Sequence, residues 1–339
     1  MQNDYTLYLE KIEDVLNVWL PEAPDPSWAG KVFSGLGGGF QLELVSSLVR
    51  PGRDLLSRGG KRWRPLLMVL LAETLGGAAR AEAALSITPL VEFPHNASLI
   101  HDDIEDNSDE RRGTPAVHIL YGIDTAINAG AFLYFLPLAC LDASALSPED
   151  KNRIHRIWGE YMRRLHFGQA MDIAWHRDYD SLPALDDYYR MCRLKTGCLA
   201  RLAAVLGAYC GCSGAESEAK RYGEAAESLG VGFQILDDVK NLTTGIPGKK
   251  RGDDVVEGKK SLPVLLYLHR HPEKREFAAR CFAAARSAGI GAPEIEEFIG
   301  VLGSAGVLEE ALERGRELIA GSRDCFSGEG FAAFFDLIS

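Results

Sequence analysis

The chain has 339 residues, of which 46% are hydrophobic, and its formal net charge is −11. This length allows two domains or one large helical domain with a sizeable core. The acidic balance argues against nucleic acid or an anionic membrane surface as the main partner. Seven cysteines are scattered without a Cys-x-x-Cys pair, which predicts reduced thiols, no zinc site and a cytoplasmic protein.

An N-terminal helix is predicted over residues 4–20, where the sequence is acidic and amphipathic, unlike a signal or transit peptide. The glycines at 35 and 37–39 lack the Gly-Lys-Ser/Thr ending of a phosphate-binding loop. They therefore predict a hinge between this helix and the body of the protein.

The body of the chain shows helical periodicity with recognisable helix starts and ends. No segment alternates apolar and polar residues as a hairpin strand would. The predicted helices span residues 40–57, 63–76, 80–107, 117–141, 148–177, 185–211, 214–241, 261–270, 272–288, 292–303 and 305–321. The predicted fold is all-α, with one domain over residues 1–339. Residues 1–39 form its N-terminal helix and linker, and residues 40–339 form a helical core around a central cavity.

Prolines and glycines modify three of these predictions. Pro89 and Pro94 predict a kink, with the helix proper starting near His95. The apolar run Ala129–Leu141 is too short to span a bilayer, so it predicts a buried helix and no transmembrane segment. The glycine- and lysine-rich segment Thr243–Lys260 predicts a flap that closes over phosphates.

Two acidic runs, DDIED at Asp102–Asp106 and DDVKN at Asp237–Asn241, end apolar helical segments. Residues four apart share a face of a helix, and stacked like charges repel. Divalent cations relieve that repulsion, and Mg²⁺ prefers oxygen ligands together with substrate phosphates. The runs predict two faces opposed across a cavity, which hold Mg²⁺ ions and, through them, a diphosphate.

Basic clusters predict a second anion site. Lys61 and Arg64 stand three apart at a helix start, where backbone N–H groups add to the attraction for phosphate. Further clusters occur at Arg111–Arg112 and Lys249–Arg251. These groups compensate locally for the negative charge of the whole chain, whereas Lys250 and Lys260 are expected to face solvent.

The stretch HNASLIHDDIEDNSDERRGTPAVHILYG, then FQILDDVKNL and GKKRGDDVVEGKKSLP, resembles the trans-type polyprenyl diphosphate synthases. The sequence of these stretches is most similar to that of the geranylgeranyl diphosphate synthases of the eukaryotic kind. The resemblance implies the isoprenoid synthase type I fold and a prenyltransferase in which an allylic diphosphate ionises and isopentenyl diphosphate attacks the cation. It also implies Mg²⁺, with about three ions per active site, and a homodimer or a multiple of it.

The resemblance also implies a role for each matching residue. The metal ligands are Asp102, Asp106 and Asp237, supported by Asp103, Asp238 and Asn241, and metal-bound waters are oriented by Gln169 and Asp172. Isopentenyl diphosphate is bound by Lys61, Arg64, His95 and Arg112. The allylic diphosphate is bound by Arg111, Lys195, Thr196, Gln234, Lys249 and Lys259. Lys195, Thr196 and Gln234 lie beside the ionising carbon and are the catalytic set.

The resemblance further implies that product length depends on the residues before the first motif, as in the farnesyl-type relatives. Ala97 and Ser98, five and four residues before Asp102, are small, whereas aromatic residues there would plug the tunnel near fifteen carbons. This favours a product of twenty carbons or more, geranylgeranyl diphosphate, with Phe132 as a candidate for the tunnel floor. The alternatives are a longer or a farnesyl product of the same family, and a non-catalytic subunit of a heteromeric synthase.

Overall fold

The computed structural model describes residues 2–34, 41–212, 216–245 and 250–338. The contacts divide the chain into two compact units. The first unit consists of Met1–Glu160, Leu202–Gly223 and Phe326–Ser339, and the second of Tyr161–Arg201 and Glu224–Cys325. The single domain expected over residues 1–339 stays a prediction.

The first unit is built from helices and one short hairpin. In chain order its elements are α1 (Gln2–Trp19), α2 (Pro26–Val32), α3 (Leu42–Ser57), α4 (Trp63–Gly76), α5 (Ala78–Leu85), α6 (Pro89–Glu105), strands β1 (Glu110–Arg111) and β2 (Thr114–Pro115), α7 (Val117–Tyr121) and α8 (Ile123–Ala143). The first part of α9 (Pro148–Arg177) also belongs to this unit. The two strands pair antiparallel, with Arg111 opposite Thr114.

The second unit holds the remaining helices except the last helix, most of the helix Cys198–Cys212 and the start of the helix Glu216–Thr243, which belong to the first unit. Its elements are the remainder of α9, then α10 (Leu185–Cys192), a π-helix (Arg193–Gly197), the start of α11 (Cys198–Cys212), most of α12 (Glu216–Thr243), α13 (Asp253–Glu257), α14 (Leu262–Arg270), α15 (Arg275–Ala288), α16 (Pro293–Ser304) and α17 (Val307–Arg323). Two 3₁₀ turns, Pro272–Lys274 and Gly289–Gly291, flank α15, and α18 (Glu329–Ile338) returns to the first unit.

Each unit has an apolar core. In the first unit, α4 is apolar all round, and every side chain of residues 66–72 is buried. A Cβ at Gly207 would lie 2.5 Å from Met68 O, so only glycine lets α11 approach α4 this closely. In the second unit, the fully buried Phe282 and Phe298 pack edge to face at 5.3 Å between ring centres. Such burial of apolar surface is the main stabilising term in each core.

The all-α prediction is confirmed, and the differences concern short elements and prolines. The sequence analysis missed α2, α13, α18 and the hairpin. The predicted helix over 80–107 is two helices, and the predicted start near His95 is wrong, because α6 begins at Pro89. Proline has no N–H to lose at a first helical position, and Pro94 is accommodated within the helix.

The apolar run at Ala129–Leu141 lies within the longer helix α8. By length and composition, α8 is the one helix of the described residues that is able to cross a bilayer, and half of its apolar window is buried inside the protein. Pro137 lies inside this helix. The same test is passed by core helices of soluble proteins, so the helix itself does not define a membrane segment.

Candidate active site

The first aspartate motif forms the end of α6, and its carboxylates have different surroundings. Asp103 is fully buried, whereas Asp102 and Asp106 are partly exposed. Arg111 donates from Nε to Asp103 Oδ1 at 2.9 Å, and its Nη2 contacts the same oxygen and lies 3.8 Å from Asp102 Oδ2. This arginine offsets the repulsion between the adjacent aspartates. Asp103 therefore ties the motif to Arg111, while Asp102 and Asp106 are only partly covered.

The hairpin directs its two arginines to different partners. Its turn residues, Arg112 at φ 57° and Gly113 at φ 73°, both have the positive φ that a two-residue hairpin turn requires. While Arg111 binds the aspartates, Arg112 donates from Nη1 to Leu55 O at 3.2 Å and contacts Gly59 O. The hairpin thus links the aspartate motif to the loop that precedes α4.

A cluster of cations surrounds His95 on α6. Burial lowers the pKa of His95 well below its usual value, and nearby positive charges lower it further, so the imidazole is neutral at neutral pH. The guanidinium groups responsible are those of Arg64, Arg112, Arg62 and Arg111. Arg64 lies over the ring of Trp63 at 4.4 Å, and Lys61 is exposed in the same loop. The first unit thus brings together Arg64, His95 and Arg112 of the set expected to bind isopentenyl diphosphate, and Lys61 stands three residues before Arg64 in the chain.

The second aspartate motif, near the end of α12, has one exposed carboxylate. Asp237 is exposed, whereas Asp238 is buried and accepts hydrogen bonds from Gln234 Nε2 at 2.8 Å and from Tyr188 Oη at 2.7 Å. Burial raises the pKa of Asp238. Burial also raises the pKa of Tyr188 well above its usual value, so its hydroxyl stays protonated and donates. Asp238 therefore orients Gln234, and Asp237 presents the accessible oxygen atoms.

Asn241, the last residue of the second motif, is buried and holds the following loop. Its Oδ1 accepts the backbone N–H of Asp254 at 3.1 Å, and its carbonyl oxygen accepts the N–H of Gly252 at 2.9 Å. Asp254 O in turn accepts the N–H of Lys259 at 2.8 Å. Within the described parts of the chain, Asn241 Nδ2 has no hydrogen-bond partner. These bonds connect the motif to α13 and to the lysine expected to bind the allylic diphosphate.

The π-helix carries two of the three residues expected beside the ionising carbon. Lys195 Nζ forms an ion pair with Asp172 Oδ2 at 2.6 Å, and Thr196 Oγ1 donates to Gln234 Oε1 at 2.5 Å. Gln234 is in turn bonded to Asp238. Lys195, Thr196 and Gln234 are therefore brought together by one hydrogen-bonded network. Single π-turns of this kind occur frequently at functional sites.

Glycines on neighbouring helices make room for the π-helix. A Cβ at Gly168 of α9 would lie 2.5 Å from Lys195 N, and a Cβ at Gly230 of α12 would lie 2.8 Å from Gly197 Cα. Contacts shorter than 3.0 Å are not tolerated between such atoms, so both positions require glycine. The backbone that bears Lys195 and Thr196 is thus closely packed between α9 and α12.

The remaining phosphate and metal-water positions lie on α9 and after α13. Gln169 is half-buried three residues before Asp172, whose carboxylate binds Lys195. Lys259 is paired with Glu257 at 2.7 Å. Lys249 lies outside the described residues.

The expectation that Lys260 faces solvent is wrong. The residue is 3% exposed, and its Nζ lies 4.3 Å from the ring centre of Phe282 and 5.8 Å from that of Tyr179. Burial lowers the pKa of Lys260 to about 8. Aromatic faces stabilise an ammonium group electrostatically, which is why this cation is tolerated inside the second unit.

The residues proposed to control product length differ in exposure. Ala97 has no exposed surface, whereas Ser98 is half-buried and donates from Oγ to His95 O at 2.8 Å. Phe132 is stacked on Phe33 with ring centres 5.8 Å apart. Ser98 is thus the one of the two small residues whose side chain is partly accessible.

Sequence reasoning did not identify Arg62 or Tyr188, which hold other site residues in place. Tyr188 binds Asp238, and no sequence pattern pointed to it. Arg62 had a usable signal, because it stands between Lys61 and Arg64, yet its side chain is buried instead of facing a ligand.

Known proteins resemble the chain over most of its length. A sequence model described as polyprenyl synthetase matches residues 45–292. A geranylfarnesyl diphosphate synthase of Aeropyrum pernix is 34% identical over 278 residues, covering 80% of this chain and 85% of that protein. A geranylgeranyl pyrophosphate synthase of Geoglobus acetivorans is 35% identical over 273 residues, covering 80% and 82%. A solved structure of a geranylgeranyl pyrophosphate synthetase from the same archaeon superimposes with a TM-score of 0.75 at 27% identity, covering 99% and 97%.

The all-helical fold, the two aspartate motifs and the cation cluster define an enzyme of the trans-prenyltransferase class. The chain belongs to the polyprenyl synthetase family.

Proposed function

We propose that the chain is a Mg²⁺-dependent synthase that condenses isopentenyl diphosphate with an allylic diphosphate to give geranylgeranyl diphosphate. The observation that carries this proposal is the arrangement of α6. This one helix bears His95 of the cation cluster, the small residues Ala97 and Ser98, and the carboxylate of Asp102, and Asp106 is its C-cap residue. An anion site, a chain-length position and a metal motif therefore follow one another within three turns.

The carboxylates fit Mg²⁺. In the parts of the chain that the structure describes, no group of three or more His, Cys, Asp or Glu residues is already assembled around a metal position. Mg²⁺ typically takes only one or two carboxylates, together with water and substrate phosphates. Asp102, Asp106 and Asp237, the more accessible aspartates, are the proposed ligands, and about three ions bind per site. When bound, they supply positive charge that stabilises pyrophosphate as a leaving group.

The other three motif residues, Asp103, Asp238 and Asn241, support the proposed site through hydrogen bonds to neighbouring residues. Asp103 binds Arg111, Asp238 binds Gln234 and Tyr188, and Asn241 binds the loop before Lys259. Their contribution is orientation, because buried groups with fixed partners hold their neighbours within the small tolerance that catalysis requires.

The residues around the π-helix act on the allylic substrate. Lys195, held by Asp172, contributes a fixed cation at the allylic diphosphate, together with Arg111, Lys249 and Lys259. The oxygen atoms of Thr196 and Gln234 stabilise the developing carbocation, because they are already oriented when the charge appears. Gln169 and Asp172 would orient water molecules in the metal site.

The second diphosphate is bound without metal by Lys61, Arg64, His95 and Arg112. Forked guanidinium groups bind phosphate oxygen atoms in pairs, and Lys61 adds a point charge. The neutral imidazole of His95 adds a hydrogen bond without adding to the crowding of positive charge.

Product length is proposed as twenty carbons, with twenty-five as the second candidate. The proposal is supported by the small residues Ala97 and Ser98, and the second candidate by the geranylfarnesyl name of the Aeropyrum pernix relative. The deciding experiment is incubation with Mg²⁺, isopentenyl diphosphate and dimethylallyl, geranyl or farnesyl diphosphate, followed by sizing of the products. A twenty-carbon end product supports the proposal, and a fifteen- or twenty-five-carbon end product contradicts it.

The enzyme is proposed to be a cytoplasmic homodimer, or a multiple of it. Among the described residues, five of the ten large hydrophobic side chains that are exposed lie on α7 and α8: Ile119, Leu120, Ile123, Ile127 and Phe135. Exposed apolar surface of this kind is stabilised by a partner. Light scattering should return twice the monomer mass of 37.1 kDa or a multiple, and Phe135→Glu should shift it towards monomer. An active wild-type monomer would reject the proposal.

A further inference from the structure

The loop that carries Lys61 is built on a buried arginine in a strained conformation. Arg62, at the N-cap of α4, has φ 47° and ψ 26°, the left-handed region that a residue with a Cβ rarely occupies. Such a conformation persists only where the surroundings over-determine it. Arg62 must therefore be held by strong contacts.

The side chain of Arg62 makes four such contacts. Its Nε donates to Glu13 Oε1 at 2.6 Å, its Nη1 to Glu92 Oε1 at 3.0 Å and Gly59 O at 3.2 Å, and its Nη2 to Leu56 O at 2.7 Å. The side chains of Arg62 and Glu92 are each 3% exposed. Charge-assisted bonds at these lengths are the strongest type in proteins, so two carboxylates fix the guanidinium and the guanidinium fixes the loop.

The loop also depends on the space beneath it. A Cβ at Gly60 would lie 2.9 Å from Arg62 Nη1 and 3.2 Å from Arg112 Nη2. The backbone before Lys61 thus rests directly on two guanidinium groups, one of which belongs to a proposed isopentenyl diphosphate ligand. A shift of Arg62 would move both Lys61 and the start of α4, where Arg64 is placed.

The outer carboxylate, Glu13, comes from α1, which lies outside the segment matched by the family model. We infer that the N-terminal helix, through Glu13, acts with Glu92 to position Arg62 and thereby the isopentenyl diphosphate site. Glu13, Glu92 and Arg62 are positioning residues and touch no substrate. This inference rests on the proposed assignment of Lys61, Arg64, His95 and Arg112 to that substrate.

Substitution of Glu13 allows a test in which electrostatics and positioning predict opposite changes in the affinity for isopentenyl diphosphate. Removing a carboxylate near an anion site strengthens anion binding by Coulomb's law alone. Removing a positioning contact weakens it. Glu13 is the more suitable partner to change, because its side chain is 42% exposed and its loss leaves no buried carboxylate unpaired.

The experiment measures the dissociation constant of isopentenyl diphosphate for the full-length, metal-free protein by calorimetry, and the KM of both substrates in the assay with Mg²⁺. Glu13→Ala should weaken isopentenyl diphosphate binding on the order of tenfold, with a smaller change in KM for the allylic diphosphate. Glu13→Gln keeps an acceptor for Arg62 Nε and should restore most of the affinity.

Glu82→Ala is the matched control. Glu82 also ties α1 to the body, through Lys11, but it does not contact Arg62. It should leave the affinity for isopentenyl diphosphate unchanged. Unchanged or tighter binding in Glu13→Ala, equal weakening in Glu82→Ala, or equal effects on both substrates would overturn the inference. A wild-type protein that binds no isopentenyl diphosphate would instead contradict the proposed function.

Discussion

Neighbouring residues of the two aspartate motifs divide the tasks of binding and support. Asp102 and Asp237 are accessible, whereas Asp103 and Asp238 are buried and bonded to protein. The buried members would lose much hydration if they had no partners, and the bonds to Arg111, Gln234 and Tyr188 replace it. The aspartates next to the proposed ligands thus hold Arg111 and Gln234 in place.

Asn241 also supports its neighbours, although the family resemblance implies that it is a metal ligand. Asn241→Asp keeps the oxygen that accepts the Asp254 N–H, whereas Asn241→Leu removes it. We expect Asn241→Asp to retain the KM for the allylic diphosphate and Asn241→Leu to raise it on the order of tenfold, because the backbone of Lys259 loses its support. Hydrogen exchange of α13 in the metal-free protein checks the cause: only the leucine variant should exchange faster. Equal exchange in both variants would contradict this role.

Lys260 should make stability depend on pH above neutrality. Its folded-state pKa of about 8 lies below the ordinary value of 10.5, so between these values the unfolded chain binds more protons than the folded protein. Relative to Lys260→Met, the wild-type free energy of unfolding should therefore rise between pH 8 and pH 10, by at most about 3 kcal/mol. Urea unfolding at both pH values measures this.

The control for Lys260 is the exposed Lys250, three residues before α13. The free energy of unfolding of Lys250→Met should follow that of the wild type across the same pH range. If the free energy of unfolding of Lys260→Met also follows that of the wild type, Lys260 is not a buried cation in solution.

At the scale of elements, the π-helix depends on the close approach of α9. Gly168→Ala places a methyl group 2.5 Å from Lys195 N, so the π-helix must shift. Because a displacement of about 1 Å at a catalytic group costs roughly 10²-fold in rate, we expect a loss of turnover of this order. Gly300→Ala, in a helix with open space around the position, is the control and should keep full activity. Full activity in Gly168→Ala would show that the π-helix can move without consequence.

On α6, Ala97 and Ser98 differ in exposure, so substitutions can show which of the two controls product length. Ala97 has no exposed surface, so Ala97→Phe overpacks the core and should lower the free energy of unfolding by about 1–3 kcal/mol. Ser98 is half-buried, so Ser98→Phe should be tolerated better and should shorten the product to about fifteen carbons. Product sizing and thermal melting of both variants check this. A twenty-carbon product from Ser98→Phe would exclude Ser98 from the tunnel.

At the scale of the whole molecule, the sequence predicted long helices well and short elements poorly. The bounds predicted for α9 agree with the structure, because its Ser-Pro-Glu-Asp start is an unambiguous local signal. The hairpin of four strand residues and α13 are too short for a periodic pattern. Pro89 and Pro94 predict a kink and a helix start near His95, whereas α6 begins at Pro89, because a first helical position tolerates proline.

The candidate site was predictable only where residues act directly. Motif spacing pointed to Asp102, Asp237 and Lys61 as candidate ligands, because ligands must be of a particular chemical type. The supporting contacts of Arg62 and Tyr188 join residues 30 and 50 positions apart in the chain, and no local pattern encodes them. Such distant pairings emerge only when the helices pack.

The most direct test of the account is a comparison of wild type, Asp102→Ala and Asp237→Ala with isopentenyl and farnesyl diphosphate, with and without Mg²⁺. The wild type should convert farnesyl to geranylgeranyl diphosphate only with Mg²⁺. Each variant should lose at least about 10²–10³-fold in turnover while it retains the wild-type melting temperature, because Asp237 is exposed and the loss of Asp102 leaves the bond between Asp103 and Arg111 in place. A wild type that does not elongate farnesyl diphosphate, or variants that keep full turnover, would contradict the account.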